Sequence, residues 1–301
     1  MQSPLASISH LAKLHNNVRV DPFTCIHEDV IIGEGSHIHS NVTIYPGTRI
    51  GCNCEVFPGA VIGVIPQDLK FEGEYTTVEI GDNTKIRECV TIHRGTKDKW
   101  KTSIGKNCLL MTYVHVAHDC QIGNNVILAS YVGLSGHVVI DDYAILEGKV
   151  AAQQFVHIGR HAFIGGASLI RKDVPPFIKS AREPMTFAGV NSVGLRRRGF
   201  TDEEVRTIED VYRSIYIQSS NLMLSNINNA TPNNSCILCS IPLTTGQFSI
   251  VNYFNTNDVK SRIDSLRNFS SLNISLTDQD GDILDLNGCH FSLTLQIDIE
   301  F

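Results

Sequence analysis

The sequence predicts a mainly β chain built around a parallel β-helix, with a short helical flank and a small separate β module at its C-terminus. Three observations carry that prediction. An aliphatic residue returns at every sixth position from Val20 to Ile170, two short stretches break the rhythm without destroying it, and the composition changes after about Ser219.

The repeat comes first, because a fixed period decides the architecture. Stepping six residues from Val20 gives Ile26, Ile32, Ile38, Ile44, Ile50, Val56 and Ile62, then Ile80, Ile86 and Ile92, then Ile104 through Leu134 and Ala152 to Ile170. Of 26 such positions 23 are apolar and 15 are Ile, where composition alone would fill about 11. A period of six matches neither a helix nor a plain alternating strand. It suits a chain that runs straight, turns, and repeats three times per 18-residue coil, with one side chain sent inward from each flat face. β-branched Ile favours the straight runs. Gly33, Gly51, Gly63, Gly81, Gly105, Gly123, Gly159 and Gly165 each follow an inward position, where a sharp corner favours a residue without a Cβ. The hexapeptide pattern resembles the left-handed kind of β-helix, and the filled positions make seven to eight coils. A β-sandwich would need period-two alternation and frequent hairpins.

The breaks, Pro66–Lys70 and Gly95–Trp100, read as loops leaving a stiff prism. The β-helix is assigned to residues 1–176, ended by Pro175-Pro176. A helical flank at 177–218 follows, with a short basic helix over Asn191–Arg198 and a capping box from Thr201 to Glu204. Val205, Ile208, Val211 and Ile215 recur after it at helical spacing, on a helix expected to pack on the end of the prism. Residues 219–235 form an Asn/Ser-rich linker, and 236–301 an acidic β module of net charge −5 with Asp280-Gly281 as a hairpin turn. Cys236 and Cys239 have metal-ligand spacing without a second pair, so two buried thiols are the better reading.

A formal charge of −6 argues against a general nucleic-acid binder. No segment has the apolar length of a transmembrane span, and no signal sequence is apparent. With nine scattered cysteines, reduced thiols in the cytoplasm are expected.

Candidate chemistry centres on His115-Val116-Ala117-His118-Asp119-Cys120. Val116 points inward, which places His115 and His118 on the outer surface or a corner. A carboxylate beside a histidine fixes its tautomer and raises its basicity, as a general base requires. His137 lies 19 residues after His118, one coil and one residue on, so the two can stack. The unobstructed N–H of Gly136 suits a developing oxyanion. Separately, residues 149–198 hold nine bases and two acids, pointing to an anionic partner or phosphate ligand.

With these segments the chain resembles the UDP-N-acetylglucosamine O-acyltransferases of lipid A biosynthesis. The matching motifs are Pro66-Gln67-Asp68-Leu69-Lys70, Ile80-Gly81-Asp82, Thr91-Ile92-His93-Arg94-Gly95-Thr96, the His115–Cys120 segment, Gly136-His137, Gln154-Phe155, Asp173-Val174-Pro175-Pro176 and Gly194-Leu195-Arg196-Arg197-Arg198-Gly199-Phe200. They run in order across residues 16–216. The resemblance implies transfer of a 3-hydroxyacyl group from acyl carrier protein to the 3-hydroxyl of UDP-N-acetylglucosamine. It makes His118 the base, Asp119 its orienting group and Gly136 the oxyanion donor. It also implies substrate contacts from Gln67, Asp68, Lys70, His93, His115, His137 and Gln154. Asn191, Arg197 and Arg198 would hold the uridine-diphosphate end, and Gly166 would set acyl-chain length, favouring long chains. A homotrimer is implied, with no metal or dissociable cofactor, since phosphopantetheine arrives on the donor. Gln153 and Val193 depart from residues common in the family, as does the chain after Ile217. Two other readings stay open at this stage. One is a γ-type zinc carbonic anhydrase using His115, His118 and His137. The other is a non-catalytic trimeric scaffold with a binding tail.

Overall fold

The computed structural model describes residues 1–212 and four short strands beyond them. Met1–Phe200 form one compact unit and the chain from Thr201 belongs to a second.

The first unit is a left-handed parallel β-helix of three sheets, mostly from two-residue strands. The first face stacks nine strands from Ser7–Ile8 to Leu169–Ile170, and the second eight from Lys13–Leu14 to His157–Ile158. The third runs from Arg19–Val20 through Phe163–Ile164 to Ile178–Ala181, and closes with the antiparallel strand Thr186–Val190. On the first face the register aligns Ile8, Ile26, Ile44, Ile62, Ile92, Val116, Leu134, Ala152 and Ile170 in one column. From Ile26 onward these side chains are at most 2% exposed. Burying each aliphatic group contributes about 1.5–3 kcal/mol, so the six-residue rhythm is the core itself.

Three expectations change. The prism has eight to nine coils rather than seven to eight, because Ser7–Ile8 and Lys13–Leu14 already form rungs before Val20. Ile8 and Leu14 are only half-buried, as residues on an end coil with one neighbour must be. The glycines after the inward positions do not, in general, turn the corner. Of the eight, only Gly63 has positive φ. A Cβ on Gly33 would fall 2.5 Å from the carbonyl carbon of Gly51 on the next coil, so close approach between coils demands glycine there. The left-handed corner belongs to the third residue after the inward position. Asn17, Asn41, Asn53, Asn83, Asn107 and Asn125 hold it at φ 53–59°, a region Asn tolerates.

The prism also continues past Pro175-Pro176, since Ile178–Ala181 pairs in parallel with Phe163–Ile164. Residues 178–190 are therefore largely strand, not part of a helical flank. Proline removes one N–H but leaves the following residues free to join the sheet. The basic helix forms at Ser192–Arg197 with Asn191 as its N-cap residue, and Arg196 and Arg197 lie in its last turn, where the helix dipole favours cations.

In the second unit a helix covers residues 202–212. Its capping box is closed: the Thr201 N–H donates to Glu204 Oε2 (2.7 Å) and the Glu204 N–H to the Thr201 hydroxyl (3.2 Å). Val205 is buried, but Val211 is 50% exposed and Tyr212 is buried instead. Ile241–Leu243 pairs antiparallel with Gly246–Phe248, and Ser275–Thr277 with Ile283–Asp285, on either side of Asp280-Gly281. The linker, the Cys236/Cys239 pair, Ile215 and the strand expected near Phe291–Ile297 lie outside the described residues.

Candidate active site

The edge between the first and second faces carries the histidines. The rung His115–Val116 buries Val116 completely, and the chain then turns through His118 and Asp119 toward Gln121–Ile122. Asp119 takes the left-handed corner conformation (φ 59°), and its N–H donates to the Thr102 hydroxyl (2.9 Å). The break at Gly95–Trp100 folds over this corner.

That cover makes the environment different from the exposed corner expected. His118 is 6% and Asp119 1% exposed. The Thr96 N–H donates to Asp119 Oδ1 (2.9 Å), the Thr96 hydroxyl to Oδ2 (2.7 Å), and the Lys99 N–H to Oδ1 (3.3 Å). His118 Nδ1 lies 2.8 Å from Oδ2. Burial pushes the Asp119 carboxyl up, yet the bonds from His118 and Thr96 outweigh it and leave the group below its ordinary 3.8. An ionised carboxylate only accepts, so Nδ1 carries the hydrogen and Nε2 keeps its lone pair. Nε2 stands over Gly136: a Cβ there would fall 2.7 Å from it. Glycine is thus required for the ring to sit where it does. Among the described residues no hydrogen bond takes the Gly136 N–H.

Thr96 escaped the sequence reading as a functional residue, although it lies inside a quoted motif. Its role depends on the loop crossing the corner, which spacing does not reveal.

Around this pair the rings are packed but incompletely bonded. His137 meets His118 edge-on (centroids 5.1 Å) and stacks on Phe155 (4.5 Å). Its Nδ1 is 3.2 Å from an Asp98 oxygen but out of line for a hydrogen bond. His93 meets His115 edge-on at 5.0 Å, and His115 Nδ1 is 2.8 Å from the Thr91 hydroxyl. Burial, helped by His115 and His118, lowers His93 to about 4, and burial lowers His115. Both rings are therefore neutral near pH 7. His93 Nδ1, Arg94 Nε and His137 Nδ1 are buried without hydrogen-bond partners. Such groups are rare in folded proteins. His115, recruited in the carbonic-anhydrase alternative, lies against Thr91 and His93, outside the ligand group formed by His118, Asp119 and His137.

The other singled-out residues lie elsewhere. Gln67 and Lys70 are exposed on the first loop, where the Asp68 side chain accepts the Lys70 N–H (3.0 Å). That loop is moored by Tyr75, whose hydroxyl donates to Asp29 (2.8 Å), and by Glu74, which accepts the Lys97 N–H (3.0 Å) of the second loop. Gln154 is exposed beside Phe155.

Asn191, Arg197 and Arg198 line a cleft of about 340 Å³ with Ile145, Phe163, Lys179, Val193 and Gly194. This cleft lies on the third face and its edge with the second, away from His118. Asn191 is buried, donating from Nδ2 to the His161 carbonyl (3.0 Å). Arg198 lies over Tyr143 (5.3 Å), with its guanidinium pKa lowered by burial. Gly166 is exposed on the remaining edge, its N–H donating to Glu147 (2.9 Å), and a Cβ there would lie 3.2 Å from the Gly148 carbonyl and 3.8 Å from the Glu147 side chain. Within one chain the three groups of residues thus occupy three different edges of the prism.

Comparison with known proteins bears on what these edges do. A family profile described as UDP-N-acetylglucosamine O-acyltransferase, domain 2, matches residues 173–236, and a bacterial transferase hexapeptide profile matches 12–46 and 101–136. The acyl-[acyl-carrier-protein]–UDP-N-acetylglucosamine O-acyltransferase of Sulfurihydrogenibium sp. (strain YO3AOP1) is 55% identical over 73% of this chain and 81% of its own length. That of Gloeothece citriformis is 45% identical over 54% of this chain, a match spanning 58% of its own length. The solved UDP-N-acetylglucosamine acyltransferase of Bacteroides fragilis superposes with a TM-score of 0.71 at 49% identity, over 72% of this chain and 85% of its own. The Francisella novicida enzyme gives 0.70 at 45%, over 72% and 80%.

Proposed function

The chain belongs to the UDP-N-acetylglucosamine O-acyltransferase family, and from that membership we infer that it transfers a 3-hydroxyacyl group from acyl carrier protein to the 3-hydroxyl of UDP-N-acetylglucosamine, the first step of lipid A biosynthesis. His118 is the general base. Its Nε2 takes the proton of the sugar hydroxyl as that oxygen attacks the thioester carbonyl. The Gly136 N–H meets the oxyanion that forms. Collapse breaks the carbon–sulfur bond, and the pantetheine thiolate leaves with the proton held by His118. Asp119 stabilises the transient imidazolium and holds its orientation. The transfer calls on no metal and on no cofactor other than the donor's own phosphopantetheine.

The observation that carries this reading is the buried His118–Asp119 pair with Nε2 facing the Gly136 backbone. His93, His115, His137 and Gln154 contact sugar or acyl chain, with Gln67, Asp68 and Lys70 closing over from the first loop. Arg197 and Arg198 hold the diphosphate, for which planar guanidinium groups are suited, and Asn191 lies beside them. The three edges come together when three copies pack, each cleft drawing His118 from one copy and the nucleotide-binding edge from another. A homotrimer is therefore part of the proposal. Exposed Lys149, Arg160, Lys172 and Arg182 offer positive charge to an acidic carrier protein. No helix among the described residues is long and apolar enough to cross a membrane.

The test is consumption of 3-hydroxyacyl carrier protein thioester in the presence of UDP-N-acetylglucosamine, with product mass read out. It is run on the full chain, on a chain ending near Ile217, and on His118→Ala. No turnover by the full chain, or unchanged turnover in the variant, overturns the assignment. Gly166→Met should cut the preference for long donors over short ones by about tenfold or more, and an unaltered preference removes Gly166 from the chain-length role.

A further inference from the structure

On the third face, at the opposite end of the prism from the basic flank, Asp21, His37 and His39 face outward together. Inward Ile38 puts His37 and His39 on one side of the strand, and the register sets Arg19 beside His37 and His37 beside Glu55. Asp21 Oδ2 lies 2.8 Å from His37 Nε2 and 3.6 Å from His39 Nδ1, and the three atoms fall within 4.8 Å of one another. The imidazole centroids are 3.8 Å apart, and all three side chains are about four-fifths buried.

We propose that Asp21 Oδ2, His37 Nε2 and His39 Nδ1 form a binding site for a borderline divalent transition-metal ion of the zinc(II) class, with water completing its coordination. Ligand bonds of about 2.0–2.2 Å to a shared ion place ligand atoms roughly 3–3.5 Å apart, close to the spacing present. Two of the three ligands already have the outer partners such sites use. Arg19 Nε holds Asp21 Oδ1 at 3.0 Å, leaving Oδ2 as the single donor. Glu55 Oε1 lies 3.3 Å from His39 Nε2, and its Oε2 lies 3.4 Å from Lys85 Nζ. When His39 donates from Nε2 to Glu55, its Nδ1 lone pair faces a carboxylate oxygen, and a cation between them resolves two opposed acceptors. Arg19, Lys85 and Arg87 balance Asp21, Glu55 and Glu88 in charge, so no excess of either sign surrounds the site. Arg87 is engaged with Glu88 (2.8 Å) and lies over Phe57 (4.3 Å).

The ion would tie the rung Arg19–Val20, first of its face, to His37–Ile38. On its outer side that rung meets only the single bridge from Val20 to Gln2, near the end of the stacked array.

The experiment titrates cobalt(II) into untagged, chelator-treated full-length protein, following ligand-field absorption and thermal melting. Wild type should bind one ion per chain and melt higher with it. Both effects should be lost in the His37→Ala/His39→Ala double variant and retained in His118→Ala. Glu55→Gln should weaken binding by about tenfold or more. His37→Gln and His39→Gln, which keep bulk and polarity, serve if the alanine variant fails to fold. Wild-type binding no tighter than that of the histidine variants, or binding abolished by His118→Ala, overturns the site. None of these readouts depends on acyl transfer.

Discussion

Two of the prism's histidine–carboxylate pairs are of nearly equal length, but their surroundings differ. His118 Nδ1 lies 2.8 Å from Asp119 and His157 Nε2 lies 2.9 Å from Asp141. The first pair is 8% and 0% exposed at its side chains, the second 33% and 30%. Asp119 takes three further hydrogen bonds from Thr96 and Lys99, whereas Asp141 has the pair alone among the described hydrogen bonds. A histidine beside a carboxylate therefore does not by itself define the surroundings of the ring. Exclusion of water and a carboxylate held from several sides set the first pair apart, because both strengthen the interaction and fix the ring.

That contrast can be broken or sharpened in four ways. The largest effect belongs to His118→Ala, which should lower turnover by about 10²–10⁴-fold, the range of a lost general base. Thr96→Val removes one hydroxyl donor from Asp119 but keeps the backbone N–H. It should lower kcat by about tenfold, equivalent to about 1.4 kcal/mol, with Thr96→Ser restoring it. A Thr96→Val enzyme with wild-type kcat means that the loop covers the pair without positioning it.

Acid melting should proceed in two stages. Folding holds His93 at about 4 against an ordinary 6.5, so the unfolded chain binds more protons between those values. The stability His93 contributes is full above 6.5 and is lost as pH falls toward 4. Asp119, held below 3.8, contributes stability above that value and loses it as pH falls further. Thermal melts from pH 7 to 3 read both stages, and His93→Gln should flatten the first. The smallest effect is His157→Ala, expected to change turnover less than about twofold, as for a solvated pair. A large loss there would remove burial as the distinction.

Much of this was legible in the chain. The column of Ile and Leu announces the prism, because a fixed rise per coil forces one side chain per face into the axis. His118, Asp119 and Gly136 were legible as neighbours because residues near 18 apart stack. Following the rhythm only from Val20 leaves the coil count one short, although Ile8 and Leu14 already keep it. The corner residues were missed because the left-handed position is held by Asn, Tyr, His and Phe alike, with aromatic rings such as Tyr113 and Tyr131 stacking at 5.1 Å.

Periodicity by itself determined the stacked three-sided column and the level at which each outward side chain sits, since both follow from counting residues along a regular path. Only the folded chain decided which of those side chains are shielded. Shielding depends on where the loop at Gly95–Trp100 lands and on which edge each group occupies, and neither is a function of spacing. The same folding set Asp21 against His37 and His39, three residues whose meeting depends on side-chain direction across two coils.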